Sequence, residues 1–502
     1  MSTTATVETA PRYALHYGGE WREPHGSEVI AVRSPATGEL LGQVPVADAV
    51  DVAAAAAAAK AAAPAWHALE PLERARHLNR LADLVRARIG PLADLESAMT
   101  GRPIREMRAQ MGRIPEWFEY FGSIAAGLEG EANRVKGGFV TLTAWEPVGV
   151  CALLTSWNHP VLIMAKKLAA ALAAGNTCLI KPSELTPIST LLFADWAREA
   201  GLPAGTINVV TGGGETGALV CSAPEVNLID LTGGTATGRK VAAIAAARLI
   251  PCTLELGGKA PILIFEDVPV EEAVAGALFA AFVAAGQTCV SGTRFLVADA
   301  LYDAFVEGFG RRAAALRVGA PDDPATDMGP VISGASRARC EGHVRDALAE
   351  GARLVCGGAR PVLPERLCDG HYVAPTVFAD VHPRMRLFRE EVFGPVVGIT
   401  RFRDEAEAVA LANDSDFALG AAIWTRDVTR AHRLAGSVRA GVIWVNDHHK
   451  NDPRSVWGGF GESGYGKENG WDALKGRMRK RSVIIRTAPA FDDWFAGGTR
   501  YG

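Results

Sequence analysis

Apolar and polar positions follow one pattern in the first third of the chain and another pattern after residue 149. In the first part, apolar residues recur at helical spacing between glycine- and proline-rich breaks. This spacing predicts helices over residues 46–63, 72–89 and 104–128. Pro64 is expected to stop the first helix, and Pro115 to kink or split the last.

From residue 149 onward, short apolar runs alternate with longer amphipathic stretches. The runs predict strands over residues 149–155, 177–181, 207–211 and 228–232, with a helix after each of the first three. The same alternation returns between residues 270 and 446 and begins with a helix over 270–285. Alternation on this scale implies parallel sheets with helices on both faces. The pattern therefore predicts an α/β fold with a Rossmann-like parallel-sheet domain and a second α/β domain.

Length and charge narrow the class of protein. A chain of 502 residues has the size of two or three domains, and its 48% of hydrophobic residues can fill a large core. The 52 Lys and Arg residues nearly balance the 56 Asp and Glu residues, which leaves a net charge of −4 and no basic block. This balance argues against binding to nucleic acid or to a membrane surface.

The cysteines and the ends of the chain bear on metal sites and location. Eight cysteines are scattered without any Cys-x-x-Cys pair, so no metal site is predicted. Such usage favours reduced thiols and a cytoplasmic setting. The first residues lack the basic and apolar regions of a signal peptide. The long uncharged run over 273–293 ends in polar residues, so we expect a buried helix that enters a loop.

Two glycine-rich segments resemble nucleotide-binding loops. Residues 212–217 form a literal Gly-x-Gly-x-x-Gly after a predicted strand, a pattern whose glycines approach a pyrophosphate in a plain Rossmann domain. The pattern is weak in a chain with 54 glycines. Residues 233–241 nearly match a P-loop, but no Lys-Ser or Lys-Thr follows the second glycine, so a nucleoside triphosphatase is not indicated.

Three side chains are candidates for chemistry, and each has an alternative interpretation. Cys289 lies in a glycine-containing turn after an apolar helix, and it is either a nucleophile or a buried core residue. Glu255 lies between apolar neighbours, and it is either a general base or a charge paired with Lys259. Asn158 follows a predicted strand, as a donor to an oxyanion or as a turn or helix-cap residue.

Six ordered motifs carry a resemblance to a known family. They are Trp-Asn-His-Pro at 157–160, Lys-Pro-Ser-Glu at 181–184, Glu-Leu-Gly-Gly-Lys at 255–259, Gly-Gln-Thr-Cys at 286–289, Glu-Glu-Val-Phe-Gly-Pro at 390–395, and Gly-Gly-Phe with Ser-Gly at 458–464. Together they resemble the aldehyde dehydrogenase superfamily, in its NAD(P)-dependent hydrolytic branch, over residues 20–486. The match covers nearly the whole chain.

The resemblance implies that an aldehyde is oxidised to its acid through a covalent thioester. Cys289 would attack the aldehyde carbon, and the Asn158 amide and the Cys289 backbone N–H would stabilise the alkoxide. Glu255 would activate the water that hydrolyses the thioester. Two rival functions are a relative that transfers the acyl group to coenzyme A and a non-catalytic scaffold. The presence of Glu255 weighs against the first rival, and the presence of all three side chains weighs against the second.

The resemblance also implies NAD as the cofactor, with NADP less favoured. Lys181 and Glu184 match positions that hold the adenosine ribose, and a carboxylate there repels a 2′-phosphate. The 212–217 loop would lie near the adenine, and Gly234 lacks a hydroxyl that many relatives offer to the pyrophosphate. The full expected set is Thr155, Trp157, Lys181, Ser183, Glu184, Gly214, Gly233, Gly234, Leu256, Glu391 and Phe393.

The expected aldehyde pocket leaves the substrate open. The resemblance places six side chains around it: His159, Ile163, Lys166, Thr288, Val290 and Trp457. Lys166 would either pair with a carboxylate on the substrate or turn its ammonium to solvent. An apolar or aromatic aldehyde is the first expectation, and a semialdehyde carrying a carboxylate is the alternative.

The resemblance further implies a division into domains and a homodimer or homotetramer. A small β element would extend a sheet between subunits, and an aromatic tail would cross to a neighbouring subunit. The expected parts are an NAD-binding domain (1–123 and 146–256), a catalytic domain (257–446), a returning loop and helix (447–473), an oligomerisation element (124–145 and 474–487) and the tail (488–502).

Overall fold

The computed structural model describes residues 10–488 and 493–498. Its largest sheet has eight strands, of which the five central ones are parallel, as the alternation after residue 149 predicts. In spatial order the strands are Glu20–Arg22, Leu15–Tyr17, Ile207–Val209, Thr177–Lys181, Val150–Leu154, Val226–Thr232, Cys252–Glu255 and Gly464–Tyr465. The last strand comes from the segment expected as a returning loop, so the C-terminal part of the chain closes this sheet.

Helices cover the eight-stranded sheet. They are Ala49–Ala68, Pro71–Ala87, Ile89–Thr100, Ile104–Met111, Pro115–Ala125, Pro160–Ala173, Ile188–Glu199, Gly214–Ser222 and Thr235–Arg248. The predicted break at Pro115 is confirmed. The predicted stop at Pro64 is wrong, because the helix continues to Ala68. Pro64 is exposed, so the backbone carbonyl that loses its helical hydrogen bond because proline has no N–H can face water. Buried Trp66 anchors the last turn of the helix by donating to the Leu172 carbonyl at 3.1 Å.

A second sheet of seven strands lies in the part of the chain expected to form the catalytic domain. Its strands in spatial order are Arg353–Cys356, Thr376–Ala379, Val396–Phe402, Gly292–Ala298, Ala260–Ile264, Gly420–Trp424 and Val442–Val445, all parallel except the first. The helices around it are Val270–Phe282, Tyr302–Ala314, Gly334–Ala349, Arg386–Arg389, Glu405–Asn413 and Val428–Ala435. The helix expected over 270–285 ends early, at Phe282, and a short 3₁₀ turn over Val283–Gly286 follows it.

A third, smaller sheet stands apart from both. Strand Phe139–Pro147 lies between Met478–Arg486 and Ala132–Val135, and both pairings are antiparallel. Helix Gly470–Lys475 leads into this third sheet. Two further pairs of strands form separate two-stranded ribbons: Val29–Arg33 with Leu40–Pro45, and Phe417–Ala418 with Phe460–Gly461. In the described residues, no helix has the length and apolar character needed to cross a membrane.

The aromatic tail is described only in part. Trp494 and Phe495 lie in a short 3₁₀ turn over Trp494–Ala496, with 48% and 96% of their surfaces exposed. Phe491 and Tyr501 lie outside the described residues. The expectation that the tail packs on a neighbouring subunit therefore stays a prediction.

Candidate active site

Two cavities meet at Cys289. The larger one, about 690 Å³, lies at the carboxyl ends of the parallel strands of the first sheet. The smaller one, about 300 Å³, lies between helices Ile104–Met111, Pro115–Ala125 and Pro160–Ala173 on one side and residues 279–290 on the other. Cys289 lines both cavities, so a group in either one reaches the same thiol.

The loop that carries Cys289 is held in an unusual backbone conformation. Ala284 and Ala285 both have φ of 53°, and Gly286 has φ of 70°. A side chain on Gly286 would collide with the Gly394 carbonyl oxygen at 2.5 Å, so glycine is required there. Gln287 fixes the loop by donating to the Ala284 carbonyl at 3.1 Å and accepting from the Ile332 N–H at 2.9 Å.

Burial sets the protonation state of the thiol. It raises the pKa of Cys289 to about 12, and the neighbouring Glu255 carboxylate acts in the same direction, while Lys166 opposes both. The thiol is therefore protonated at neutral pH in the free protein. Nucleophilic attack by this sulfur needs a group that accepts its proton.

Asn158 is oriented by two hydrogen bonds and is 4% exposed. Its Nδ2 donates to the Gln287 carbonyl at 2.8 Å, and its Oδ1 accepts from the Ser156 hydroxyl at 2.8 Å. The following helix begins at Pro160 with His159 as its N-cap and no side-chain cap, so Asn158 does not act as the helix cap. Because an amide nitrogen carries two hydrogens, one N–H of Asn158 remains for a ligand oxygen.

Glu255 ends a strand of the first sheet and points into the smaller cavity. It is 3% exposed, and its Oε1 has no hydrogen-bond partner among the described residues. Burial, with the Glu468 carboxylate second, raises the pKa of Glu255 to about 8. Within the described part of the chain, no ion pair joins Glu255 to Lys259, which favours the general-base interpretation over the paired charge.

The structure brings all eleven expected cofactor residues to the lining of the larger cavity. Lys181 donates to the Pro182 and Gly212 carbonyls at 2.8 and 2.7 Å, and its ammonium lies 4.0 Å from the half-exposed Glu184 carboxylate. Residues 213 and 214 line the same end, so the 212–217 loop adjoins these two side chains. A ribose at this end would meet a carboxylate with free lone pairs.

The middle and the far end of the larger cavity also suit a dinucleotide. Gly234 is the N-cap of helix Thr235–Arg248. A Cβ added at Gly234 would meet open space, so the N-terminal N–H groups of this helix are accessible to a phosphate. At the far end, Glu391 accepts from the Gly258 N–H at 2.9 Å, and burial raises its pKa to about 7. The Phe393 and Trp157 rings meet edge to face at 5.3 Å.

All six expected substrate residues line the smaller cavity. The position of Lys166, however, matches neither of its two expected roles, which were pairing with a substrate carboxylate and turning the ammonium to solvent. Its side chain is buried, its ammonium lies 2.8 Å from the Glu468 carboxylate, and the same ammonium lies 4.6 Å from the centre of the Trp457 ring. The prediction that the ammonium turns to solvent is wrong. Nor does Lys166 stand unpaired for a carboxylate on the substrate.

A network of buried charges lies behind Lys166. Lys167 is fully buried and contacts both Glu468 and Asp230, the latter at 2.5 Å. Asp230 also pairs with Arg477, which is 1% exposed. Since an unpaired buried charge is costly, these partners hold one another in place. The network therefore connects the wall of the smaller cavity to Arg477, the residue directly before strand Met478–Arg486.

Several residues of the smaller cavity have no counterpart in the sequence-based prediction. Arg102 reaches His159, with 2.7 Å between its Nη1 and the His159 Nδ1. No linear signal marks these residues, because helices and loops distant in the sequence bring them together. They are Arg102, Glu106, Ala109, Gln110, Arg113, Trp117, Leu162, Thr232, Phe279, Val283 and Glu468. His449 and Asn451 also line the cavity, from the polar and basic loop over 447–454 that the sequence already indicated.

A cavity at the carboxyl ends of a parallel sheet is the place where open α/β proteins bind nucleotides and other ligands. The chain belongs to the aldehyde dehydrogenase family: the sequence model of that family matches residues 21–483. This agrees with the resemblance carried by the six motifs.

Individual relatives match over nearly their whole length. A betaine aldehyde dehydrogenase from Brucella melitensis is 39% identical over 480 residues, which are 95% of this chain and 98% of that protein. The crystal structure of PnpE from Pseudomonas sp. WBC-3 has a TM-score of 0.94 and 39% identity, over 97% of this chain and 100% of its own. The NAD⁺ complex of betaine aldehyde dehydrogenase from Staphylococcus aureus has a TM-score of 0.94 and 35% identity, over 96% of each chain.

Proposed function

We propose that this protein oxidises an apolar or aromatic aldehyde to its carboxylic acid with NAD, through a thioester on Cys289. The observation that carries the proposal is the position of Cys289 at the junction of the two cavities. An aldehyde in the smaller cavity and a nicotinamide in the larger one would approach the same sulfur from two sides.

Attack on the aldehyde needs a proton acceptor and an oxyanion site. The Cys289 proton passes to the carboxylate form of Glu255, which lines the same cavity, as the sulfur bonds to the carbonyl carbon. The oxygen becomes an alkoxide that accepts from the free N–H of Asn158 and from the Cys289 backbone N–H. Gln287 holds both donors in place, because its carbonyl binds Asn158 and its side chain fixes the loop of Cys289.

Oxidation and hydrolysis complete the reaction. NAD, when bound, accepts the hydride that leaves the tetrahedral carbon. Glu255, once the proton from Cys289 has passed to solvent, takes a proton from water as the water oxygen attacks the thioester carbon. The carbon–sulfur bond then breaks, and Glu255 returns this proton to the departing sulfur, so that the acid and the thiol are released. The overall change is aldehyde, NAD⁺ and water to carboxylic acid, NADH and a proton.

The charge at the adenine end supports NAD over NADP. The Glu184 carboxylate accepts hydrogen bonds from ribose hydroxyls and would repel a 2′-phosphate. NAD complexes of PnpE and of the S. aureus betaine aldehyde dehydrogenase, both close in fold to this chain, support the same choice.

The walls of the smaller cavity support an apolar or aromatic aldehyde. The accessible surface of this cavity is mostly apolar, and these rings and aliphatic side chains line it together with Cys289: Trp117, Leu162, Ile163, Phe279, Val283, Val290 and Trp457. A carboxylated semialdehyde has less support, because Lys166 is already paired with Glu468.

We expect NADH formation by the purified protein with apolar and aromatic aldehydes, and slower turnover with carboxylated ones. The measurement is absorbance at the NADH band over a panel of aldehydes with NAD, then NADP, and then NAD with coenzyme A. A rate that rises on adding coenzyme A would contradict hydrolysis by Glu255. Bound NAD without turnover of any aldehyde would contradict the proposed function itself.

We also propose that the third sheet is the oligomerisation element within the expected division into domains. Strand Met478–Arg486 lies at the edge of that sheet and exposes Val483, Ile484 and Ile485 by 45%, 68% and 43%. A long edge strand with exposed apolar side chains is a site for pairing with another chain. Such pairing would give a homodimer or homotetramer.

Ile484→Asp should convert the protein to monomers, because a charge on this edge opposes the burial of the strand. Light scattering measures the mass. Val428→Asp is the matched control, since Val428 is also 68% exposed but lies on a helix of the catalytic domain. A wild-type monomer, or an Ile484→Asp protein of unchanged mass, would contradict the assignment.

A further inference from the structure

Two aromatic rings of the smaller cavity already carry a cation of the protein. The Lys166 ammonium lies 4.6 Å from the centre of the Trp457 ring, and the Arg113 guanidinium lies 5.6 Å from that of Trp117. Both rings line the cavity. A cation within about 6 Å of an indole centre is attracted by the negative face of the ring, and quaternary ammonium ligands are commonly held this way. Here side chains of the protein occupy that role.

Lys166 is fixed in this position. It is 4% exposed, and its ammonium is paired with Glu468, which is itself 2% exposed. Glu468 is also contacted by Lys167, so two ammonium groups share one carboxylate. Such a buried ion pair does not move aside without leaving a buried charge unpaired.

The charges in and behind this wall largely pair with one another. Three cations, Lys166, Lys167 and Arg477, are joined to two carboxylates, Glu468 and Asp230. The other two cations that line the cavity are each paired. Arg102 lies 3.1 Å from Glu106, and Arg113 lies 2.9 Å from Glu116. Glu255, which also lines the cavity, is the one carboxylate of this set without such a partner among the described residues, so these carboxylates equal the cations in number. No excess of negative charge is therefore available here to attract a cationic ligand.

We propose that Lys166 is a specificity-determining residue that excludes aldehydes carrying a permanent positive charge, so that the substrates are neutral aldehydes. The trimethylammonium group of betaine aldehyde would compete with the Lys166 ammonium for Trp457 and would meet a like charge. The inference rests on the proposed function and makes it narrower. It also separates this chain from the activity that the names of its betaine aldehyde dehydrogenase relatives state.

An isosteric pair of substrates tests the charge alone. Betaine aldehyde and 3,3-dimethylbutanal have the same shape and differ in a quaternary nitrogen against a quaternary carbon. We expect the wild-type kcat/KM to favour the neutral aldehyde by roughly tenfold or more. Lys166→Met keeps most of the apolar stem and removes the charge, and it should shift the ratio towards the cation by about tenfold.

The change in the ratio between variants is the decisive quantity. The two aldehydes differ in their hydration in water, and this difference cancels when one protein is compared with another. Lys166→Arg retains the positive charge and should retain the discrimination. Lys60→Met removes an exposed lysine from helix Ala49–Ala68 and should leave the ratio unchanged.

A binding measurement covers the case in which Lys166→Met does not fold. Choline and 3,3-dimethylbutan-1-ol form the corresponding pair of alcohols, and the neutral one should raise the melting temperature of the wild-type protein more. Equal or better use of the cation by the wild type, or an unchanged ratio in folded Lys166→Met, would overturn the inference. If neither aldehyde nor any other is oxidised, the proposed function fails, and the alcohols still test the charge preference.

Discussion

Cys289→Ala should lower kcat/KM for aldehyde oxidation by roughly 10⁴-fold or more, as expected when an enzyme loses its nucleophile. Among the described residues, Cys289 is the one cysteine that lines either cavity, so no second thiol stands near enough to replace it. Removing the sulfur leaves the aldehyde carbon without the covalent bond that makes it a hydride donor. The measurement is NADH formation with the best aldehyde of the panel.

The variant should still bind NAD, because the residues at the ribose and phosphate ends of the larger cavity are untouched. Calorimetric titration with NAD checks this point. Cys368→Ala is the matched control, since Cys368 is exposed and remote from both cavities. A Cys289→Ala protein that keeps a tenth of the wild-type activity would show that the chemistry does not pass through this thiol.

Glu255→Gln should lower the steady-state rate by about 10²–10⁴-fold, the usual contribution of a general base. An amide of the same shape cannot take a proton from water, so the thioester accumulates. Rapid mixing should show a slowed burst of NADH close to one per active site, followed by a much slower phase. Glu307→Gln is the control, because Glu307 is a largely exposed carboxylate on helix Tyr302–Ala314.

The wild-type rate should rise with pH through the titration of Glu255. Burial and the Glu468 carboxylate raise the pKa of Glu255 to about 8, and only the ionised carboxylate acts as a base. Below that pKa each pH unit removes about nine-tenths of the active form, so kcat falls as pH falls. The Glu255→Gln protein should lose this limb. A wild-type rate that is flat between pH 6 and 9, with hydrolysis rate-limiting, would contradict the assignment of the base.

Part of the larger cavity could be predicted from the resemblance to a known family. Many of the expected residues stand in short motifs at strand ends, and parallel strands bring their carboxyl ends to one edge. All eleven line the cavity, although Glu391 and Phe393 come from the loop before strand Val396–Phe402 of the second sheet. The glycine pattern over 212–217, considered alone, would place the pyrophosphate at the wrong loop. This loop adjoins Lys181 and Glu184, whereas the accessible helix N-terminus lies at Gly234.

The sequence by itself determined the α/β alternation and the break at Pro115, and its family motifs predicted the cysteine, glutamate and amide of the site. Each of these depends on residues near one another in the chain. The tertiary structure decided the continuation of the first helix past Pro64 and the early end of the helix at Phe282. It also decided that Lys166 pairs with Glu468 beside Trp457. A buried charge takes its partner from whatever packing brings within a few ångströms, and here packing joins Lys166 and Glu468, which are 468 − 166 = 302 positions apart.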